Sequence, residues 1–173
     1  MTSRLRPFIL VSTIALLVSP LLHSMVRAQN QVAVFECAGC SLRGADLSAS
    51  ASQVRNLSGA MLRRADLRGA NLSNVVFLGA DLSHADLRDT VLNNTFFTGG
   101  ANLQAADLRG ATMDGTFFTN ADLRNADLRG ARLRNGSLEN TNLTGAQTDA
   151  GFERGGFLCN TRMPDGQVRN DNC

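Results

Sequence analysis

Between Cys40 and Ala150 a large apolar residue returns every five positions, and a small residue stands two positions before almost every one of them. The large centres fall at 42, 47, 52, 57, 62, 67, 72, 77, 82, 87, 92 and 97, step by six across Gly100, and continue at 103, 108, 113, 118, 123, 128, 133, 138, 143 and 148. All but Ser52 and Thr148 are Leu, Phe or Met, and among the small flanks only Arg55 is out of pattern. Two inward positions in every five match neither the 3.6-residue stripe of an α-helix nor the two-residue alternation of a flat strand. They fit a chain that turns a corner in each unit and keeps centre and flank inside.

A longer period counts the corners. Val75-Val76-Phe77-Leu78, Thr95-Phe96-Phe97-Thr98 and Thr116-Phe117-Phe118-Thr119 recur after 20 and then 21 residues, the extra one being Gly100. Four units therefore close one turn. The expectation is an all-β, four-sided coil of about five and a half turns, its rungs roughly 4.8 Å apart and its body about 26 Å long. Phe77, Phe97 and Phe118 would form one interior column.

Units such as Ala45-Asp46-Leu47-Ser48-Ala49, Ala65-Asp66-Leu67-Arg68-Gly69, Ala106-Asp107-Leu108-Arg109-Gly110 and Ala126-Asp127-Leu128-Arg129-Gly130 resemble the A-(D/N)-L-x-x consensus of the pentapeptide repeat family. The resemblance extends over about two-thirds of the chain. It implies a right-handed quadrilateral parallel β-helix, and a scaffold whose partners differ from member to member, so the repeat itself does not reveal a biochemical activity.

The ends read differently. Arg4 and Arg6 precede an apolar run from Phe8 to Leu22, followed by Val26-Arg27-Ala28. This is the layout of a secretory signal peptide cut after Ala28, and the run is shorter than the roughly 20 residues a membrane span needs. The expected organisation is a signal peptide at 1–28, an N-terminal cap at 29–39, the coil at 40–150 and a C-terminal cap at 151–173. Export to a periplasm or extracellular space follows, or to a thylakoid lumen if the source is cyanobacterial, with no membrane association after cleavage. Loss of residues 1–28 removes three Arg and no acid, taking the formal charge from +2 to −1. Such a chain lacks the basic balance of a nucleic-acid binder and the strong acidity of a duplex-DNA mimic.

An open stack exposes backbone edges at both ends, and the four cysteines sit there. Because disulfide-bonded Cα atoms lie within about 7 Å, bridges across the length of the body are excluded, which leaves Cys37 with Cys40 and Cys159 with Cys173. The segment Cys159-Asn160-Thr161-Arg162-Met163-Pro164-Asp165-Gly166 resembles the ending of secreted pentapeptide proteins of cyanobacteria and other bacteria. Cys37-Ala38-Gly39-Cys40 has redox or zinc spacing, but no helix follows it and no further ligands stand near. No cofactor or metal is called for. Units that abut leave no long loops for a cleft, so catalysis is not expected.

Assigning units in turn to four faces exposes two outward columns. One carries Asp66, Asp86, Asp107 and Asp127 before the centres and Arg68, Arg88, Arg109 and Arg129 after them: ladders of opposite sign that neutralise each other or offer a docking surface. Another displays Val76, Phe96 and Phe117, with Leu78 beside them. Three exposed apolar rungs form a patch that marks contact with the tail, a second copy or an external protein. The expected role is a structural or protein-interaction module, monomer or homodimer. The alternative is a protector of a nucleic-acid enzyme, of the gyrase-protecting type, acting by DNA mimicry; export and near-zero charge argue against it.

Overall fold

The computed structural model describes residues 35–49 and 55–173; residues 1–28, read as a signal peptide, and the unit centred on Ser52 lie outside the described residues. Each unit runs extended for two or three residues and then turns. From Leu62 to Ala65 the Ala65 amide donates to the Leu62 carbonyl at 2.9 Å while Arg64 holds a φ of 60°. That is a type II turn with its left-handed residue in third place. Gly69 and Asn94 take the same place in their units at φ 63° and 54°. Glycine and asparagine recur two residues after the centre because they enter this region at least cost.

The extended pieces stack on one another as a right-handed quadrilateral β-helix. β1 (Arg55–Asn56) pairs in parallel with β2 (Val75–Val76), β3 (Thr112–Asp114) with β4 (Arg132–Arg134), and β5 (Gly136–Ser137) with β6 (Gly156–Phe157). Single parallel bridges complete the faces. The first face steps from Glu36 through residues 61, 81, 102, 122 and 142 to Arg162, and the second from Ser41 through 66, 86, 107 and 127 to Gln147. The third runs from Asp46 through 71, 91 and 112 to Arg132, and the fourth from Asn56 through 76, 96, 117 and 137 to Phe157.

One turn departs from the expected spacing. Glu36, Ser41 and Asp46 pair with Met61, Asp66 and Asn71, an offset of 25 residues, whereas later turns take 20, or 21 across Gly100. The Leu42 amide accordingly meets the Asp66 carbonyl at 2.7 Å, so Leu42 stacks below Leu67 and not below Leu62. The five additional residues fall between Asp46 and Arg55. In the sequence this is the stretch whose centre is Ser52 and whose next flank is Arg55, the two places where the apolar pattern lapses.

The interior is filled by the centres and flanks of the units. Phe77, Phe97 and Phe118 are fully buried and stack in register with centroids 5.0 and 5.3 Å apart. Full burial of each such side chain stabilises by roughly 1.5–3 kcal/mol. Threonines at flank positions keep their hydroxyls bonded inside: Thr95, Thr116, Thr141 and Thr161 donate to the carbonyls of Leu72, Leu92, Phe118 and Leu138 at 2.7–2.8 Å.

The sequence period stops at Ala150, yet the ladder continues through Arg162. A short 3-10 helix, Phe152–Gly155, crosses the third face, and Gly155 fits there because a Cβ would stand 1.6 Å from the Leu133 carbonyl oxygen. The chain then reverses. β7 (Thr161–Arg162) pairs antiparallel with β8 (Val168–Arg169), the Asn172 amide donates to the Leu158 carbonyl, and Asn170 and Asn172 receive the amides of Asn160 and Leu158. Residues 168–172 thus cover the backbone edge of the last turn, which would otherwise be open to pairing with another chain.

Candidate functional site

The structure places the two candidate columns on opposite sides of the coil, the charged one on the second face and the apolar one on the fourth. Both grow from the same local device. In a standard unit the residue before the centre is Asp or Asn because its Oδ1 accepts the amide two positions on: Arg68 donates to Asp66 at 3.3 Å, Ser83 to Asp81 at 2.9 Å and Gln104 to Asn102 at 3.1 Å. This side-chain turn holds the corner.

On the second face the amide donor is an arginine, whose guanidinium returns to the same carboxylate. Arg68, Arg88 and Arg109 each donate Nε to Oδ1 at 2.8 Å and Nη2 to Oδ2 at 2.6 Å of Asp66, Asp86 and Asp107, and Arg129 does the same to Asp127. Such forked pairs are the strong form of the interaction. The first three also reach the next rung: Arg68 lies 3.5 Å from Asp86, Arg88 3.6 Å from Asp107 and Arg109 3.6 Å from Asp127. The ladders interlock into one neutral band. The Arg68 side chain, hydrogen-bonded to Asp66, holds that carboxyl at about 2 against its ordinary 3.8, with desolvation opposing and the Arg68 amide assisting. Asp86 and Asp127 are lowered for the same first cause, through Arg88 and Arg129.

On the fourth face Val76, Phe96 and Phe117 occupy the acceptor position. None has an oxygen for the amide of Leu78, Thr98 or Thr119, so three successive turns forgo the corner contact in favour of apolar surface. Phe96 and Phe117 are 38% and 37% exposed, Leu78 50%, and Val76 is half-buried. The Phe96 and Phe117 rings are parallel within 2° with centroids 5.1 Å apart. Rings this close cannot lie side by side in one plane without collision. They therefore stack, one rung above the other. Leu78 leans along the next corner, where a Cβ on Gly99 would meet its Cδ1 at 2.1 Å. Beyond Phe117 the column continues through Ser137, only 7% exposed, to Phe157, 42% exposed.

The five-residue period does not reach Phe157, which follows the last regular unit; its signal in the sequence is a Phe 20 residues after Ser137. The tail does not cover this column, since residues 168–172 are engaged on the terminal edge. Cys37 and Cys40 are bonded with Cα atoms 5.3 Å apart in the first turn, and Cys159 and Cys173 with Cα atoms 5.1 Å apart at the covered end. Among the described residues there is no group of three or more His, Cys, Asp or Glu placed to hold a metal, and no helix long and apolar enough to cross a membrane.

A four-sided β-helix with filled interior and patterned faces defines a solenoid that meets its surroundings through its walls. Eight copies of the pentapeptide repeat match the sequence over residues 56–94, 101–140 and 121–147. The chain is 31% identical to the pentapeptide repeat protein Rfr23 from the cyanobacterium Cyanothece 51142, the match covering 66% of this chain and 88% of that one with a TM-score of 0.42. The chain belongs to the pentapeptide repeat family. It is also similar to a trypsin-treated form of QnrB1, a plasmid-mediated fluoroquinolone resistance protein, at 26% identity and a TM-score of 0.52, over 66% of this chain and 55% of that one. HetL from the cyanobacterium Nostoc, a pentapeptide repeat protein involved in heterocyst differentiation regulation, is 23% identical over 86% of this chain and 98% of its own, with a TM-score of 0.30. Among curated proteins none matches the chain.

Proposed function

We propose that this protein is a non-enzymatic, exported scaffold that binds another protein through its fourth face. The observation that carries the reading is the trade made at Val76, Phe96 and Phe117, where three turns exchange a corner-holding acceptor for exposed apolar surface. Stability alone favours Asp or Asn there, as at Asn71, Asp81, Asn102 and Asp122 in flanking units, so the apolar side chains serve contact. Export is supported by the charged, apolar and small-residue order of residues 1–28 and by cysteines paired at both ends, as oxidising compartments allow. The periplasm, the extracellular space or, in a cyanobacterium, the thylakoid lumen would suit it.

The likeness to a fluoroquinolone resistance protein favours the second reading, protection of a nucleic-acid enzyme by mimicry of duplex DNA. Mimicry needs carboxylates left free to imitate phosphates. Here the Asp column of the second face is held, rung by rung, by arginines, and the band is neutral.

The test is capture from the exported fraction with three immobilised proteins: wild type, Phe96→Ser with Phe117→Ser, and Arg88→Ser with Arg109→Ser. A protein retained by the wild type and the arginine variant but lost from the phenylalanine variant is expected. The intact mass of the bait recovered from its host should match a chain that begins at Gln29. Retention by the phenylalanine variant and loss from the arginine variant would shift the docking surface to the charged face.

A further inference from the structure

We propose that residues 165–173 form a redox-released strap over the covered end of the coil, seated while Cys159 and Cys173 are bonded and lifted by a dithiol. The proposal concerns the end of the coil and stands apart from the reading of the fourth face. What holds the strap is the first argument. None of residues 165–173 is buried, and Val168, the single large apolar side chain among them, is 45% exposed. The strap therefore adds nothing to the interior packing. Its noncovalent ties are the short pairing of β8 with β7, the exchange of bonds between Leu158 and Asn172, and the Asn160 amide on the Asn170 side chain. Hydrogen bonds at a surface compete with water, and ordering a segment of this length costs conformational entropy. Without the covalent tie these bonds do not keep the strap in place.

The position of the bridge is the second argument. Cys173 is exposed and Cys159 half-buried, so a thiolate reaches the sulfurs without opening the coil. Attack of one reductant thiolate on the Cys173 sulfur breaks the S–S bond, forms a mixed disulfide and releases Cys159 as a thiolate, which takes up a proton. The second reductant thiolate then closes on the first, and Cys173 leaves as a thiolate that is protonated in turn. Two electrons and two protons pass from the dithiol to the protein, and the reductant ends as a disulfide.

The hinge is the third. The chain reverses on local bonds: the Gly166 amide meets the Met163 carbonyl at 2.9 Å, and the Gln167 amide meets Asp165 Oδ1 at 2.9 Å. Beneath it the last turn has its own ladder, in which the amides of Leu138, Asn140, Leu143 and Gly145 hold the carbonyls of Phe157, Cys159, Arg162 and Pro164 at 2.8–2.9 Å. None of these bonds uses the strap, so the turn stays when the strap leaves. Lifting it opens the Leu158 and Asn160 amides and the Leu158 carbonyl, groups that an added strand takes up. The Cys37–Cys40 bridge is different in kind. It spans one corner, where the Cys40 amide already meets the Cys37 carbonyl at 3.2 Å and the Cys37 and Gly39 amides bond to Met61 and Arg63. Its reduction frees no segment.

Amide hydrogen exchange on the full-length protein, oxidised, reduced with dithiothreitol and then reoxidised, tests this, with thiol titration reporting the state of the bridges. On reduction, exchange at Leu158, Asn160 and Asn172 should rise on the order of a hundredfold, as the chain entropy of the opened loop implies. Exchange at Leu138, Asn140 and Leu143 should stay slow, and reoxidation should restore the first pattern. Cys37→Ser with Cys40→Ser should respond as wild type does, which assigns the effect to the other bridge. Slow exchange at Leu158 and Asn160 with the thiols free would overturn the proposal. An equal rise at Leu138 and Asn140 would also overturn it, since the last turn would then be unfolding, as would a Cys159–Cys173 bridge that dithiothreitol opens only in denaturant.

Discussion

Ala105 sits at a corner with φ 53°, a conformation that the corners before and after it in the chain reach with Gly99 and Gly110. The left-handed region costs an L residue with a Cβ on the order of 1–2 kcal/mol, and little of that is offset by the lower chain entropy of Ala. Ala105→Gly is therefore expected to stabilise by about 1 kcal/mol in urea unfolding. The reverse change belongs at Gly69, where φ is 63° and an added Cβ would meet no atom within 4 Å. Gly69→Ala isolates the backbone effect there and should destabilise by a similar amount. Asp66 gives a second prediction at this scale. Its carboxyl titrates lower folded than unfolded, so its contribution is complete above the unfolded value near 3.9. The contribution is lost as pH falls toward the folded value of about 2. Between these limits stability should decline on acidification, and Arg68→Ser should flatten that part of the profile. An unchanged acid limb in the variant would show that the forked pair does not set the shift.

A single unit is the next scale, and its inside and outside can be tested one residue apart. Leu108 is fully buried, so Leu108→Arg drives an unpaired charge into the stack and should cost several kcal/mol. Arg109 is 44% exposed along its side chain, and Arg109→Ser should cost about 0–1 kcal/mol; similar losses of Tm in the two would mean that the unit is inverted. At the ends, the loop closed by Cys159 and Cys173 has a sequence separation of 14 and that of Cys37 and Cys40 a separation of 3. Chain-entropy reasoning assigns about 3 kcal/mol to the first and about 2 kcal/mol to the second. Replacing Cys159 and Cys173 by Ser should cost more, and should also expose residues 158–173 to protease, because the covering strand loses its anchor. The units are legible in the sequence because Leu, Phe and Ala at fixed spacing state a burial pattern directly. The covering strand is not: β8 is held by backbone bonds and by Asn170 and Asn172, which leave no periodic trace. Nor does the apolar column announce Phe157, since Gly155 and Gly156 continue the coil through close backbone contact with no regular unit to mark it.

At the scale of the whole molecule, four faces, a parallel stack and the position of each ring column are readable from two nested periods, while the length of the first turn is not. A count of units predicts an offset of 20 throughout, whereas the pairs that flank the Ser52 stretch are 25 apart. Among the described residues the inter-turn backbone bonds join successive turns, so stability should be assembled turn by turn. The extra residue at Gly100 bears on how such a chain can change. In a flat sheet a one-residue slip exchanges the two surfaces of everything that follows. Here the pairs on either side of Gly100 shift from an offset of 20 to one of 21 with buried centres still buried. The corner resets the reading frame of burial. Lineages of this molecule can therefore lengthen at a bend, acquiring loops and new surface chemistry, without renegotiating the interior, while the straight sides tolerate substitution only.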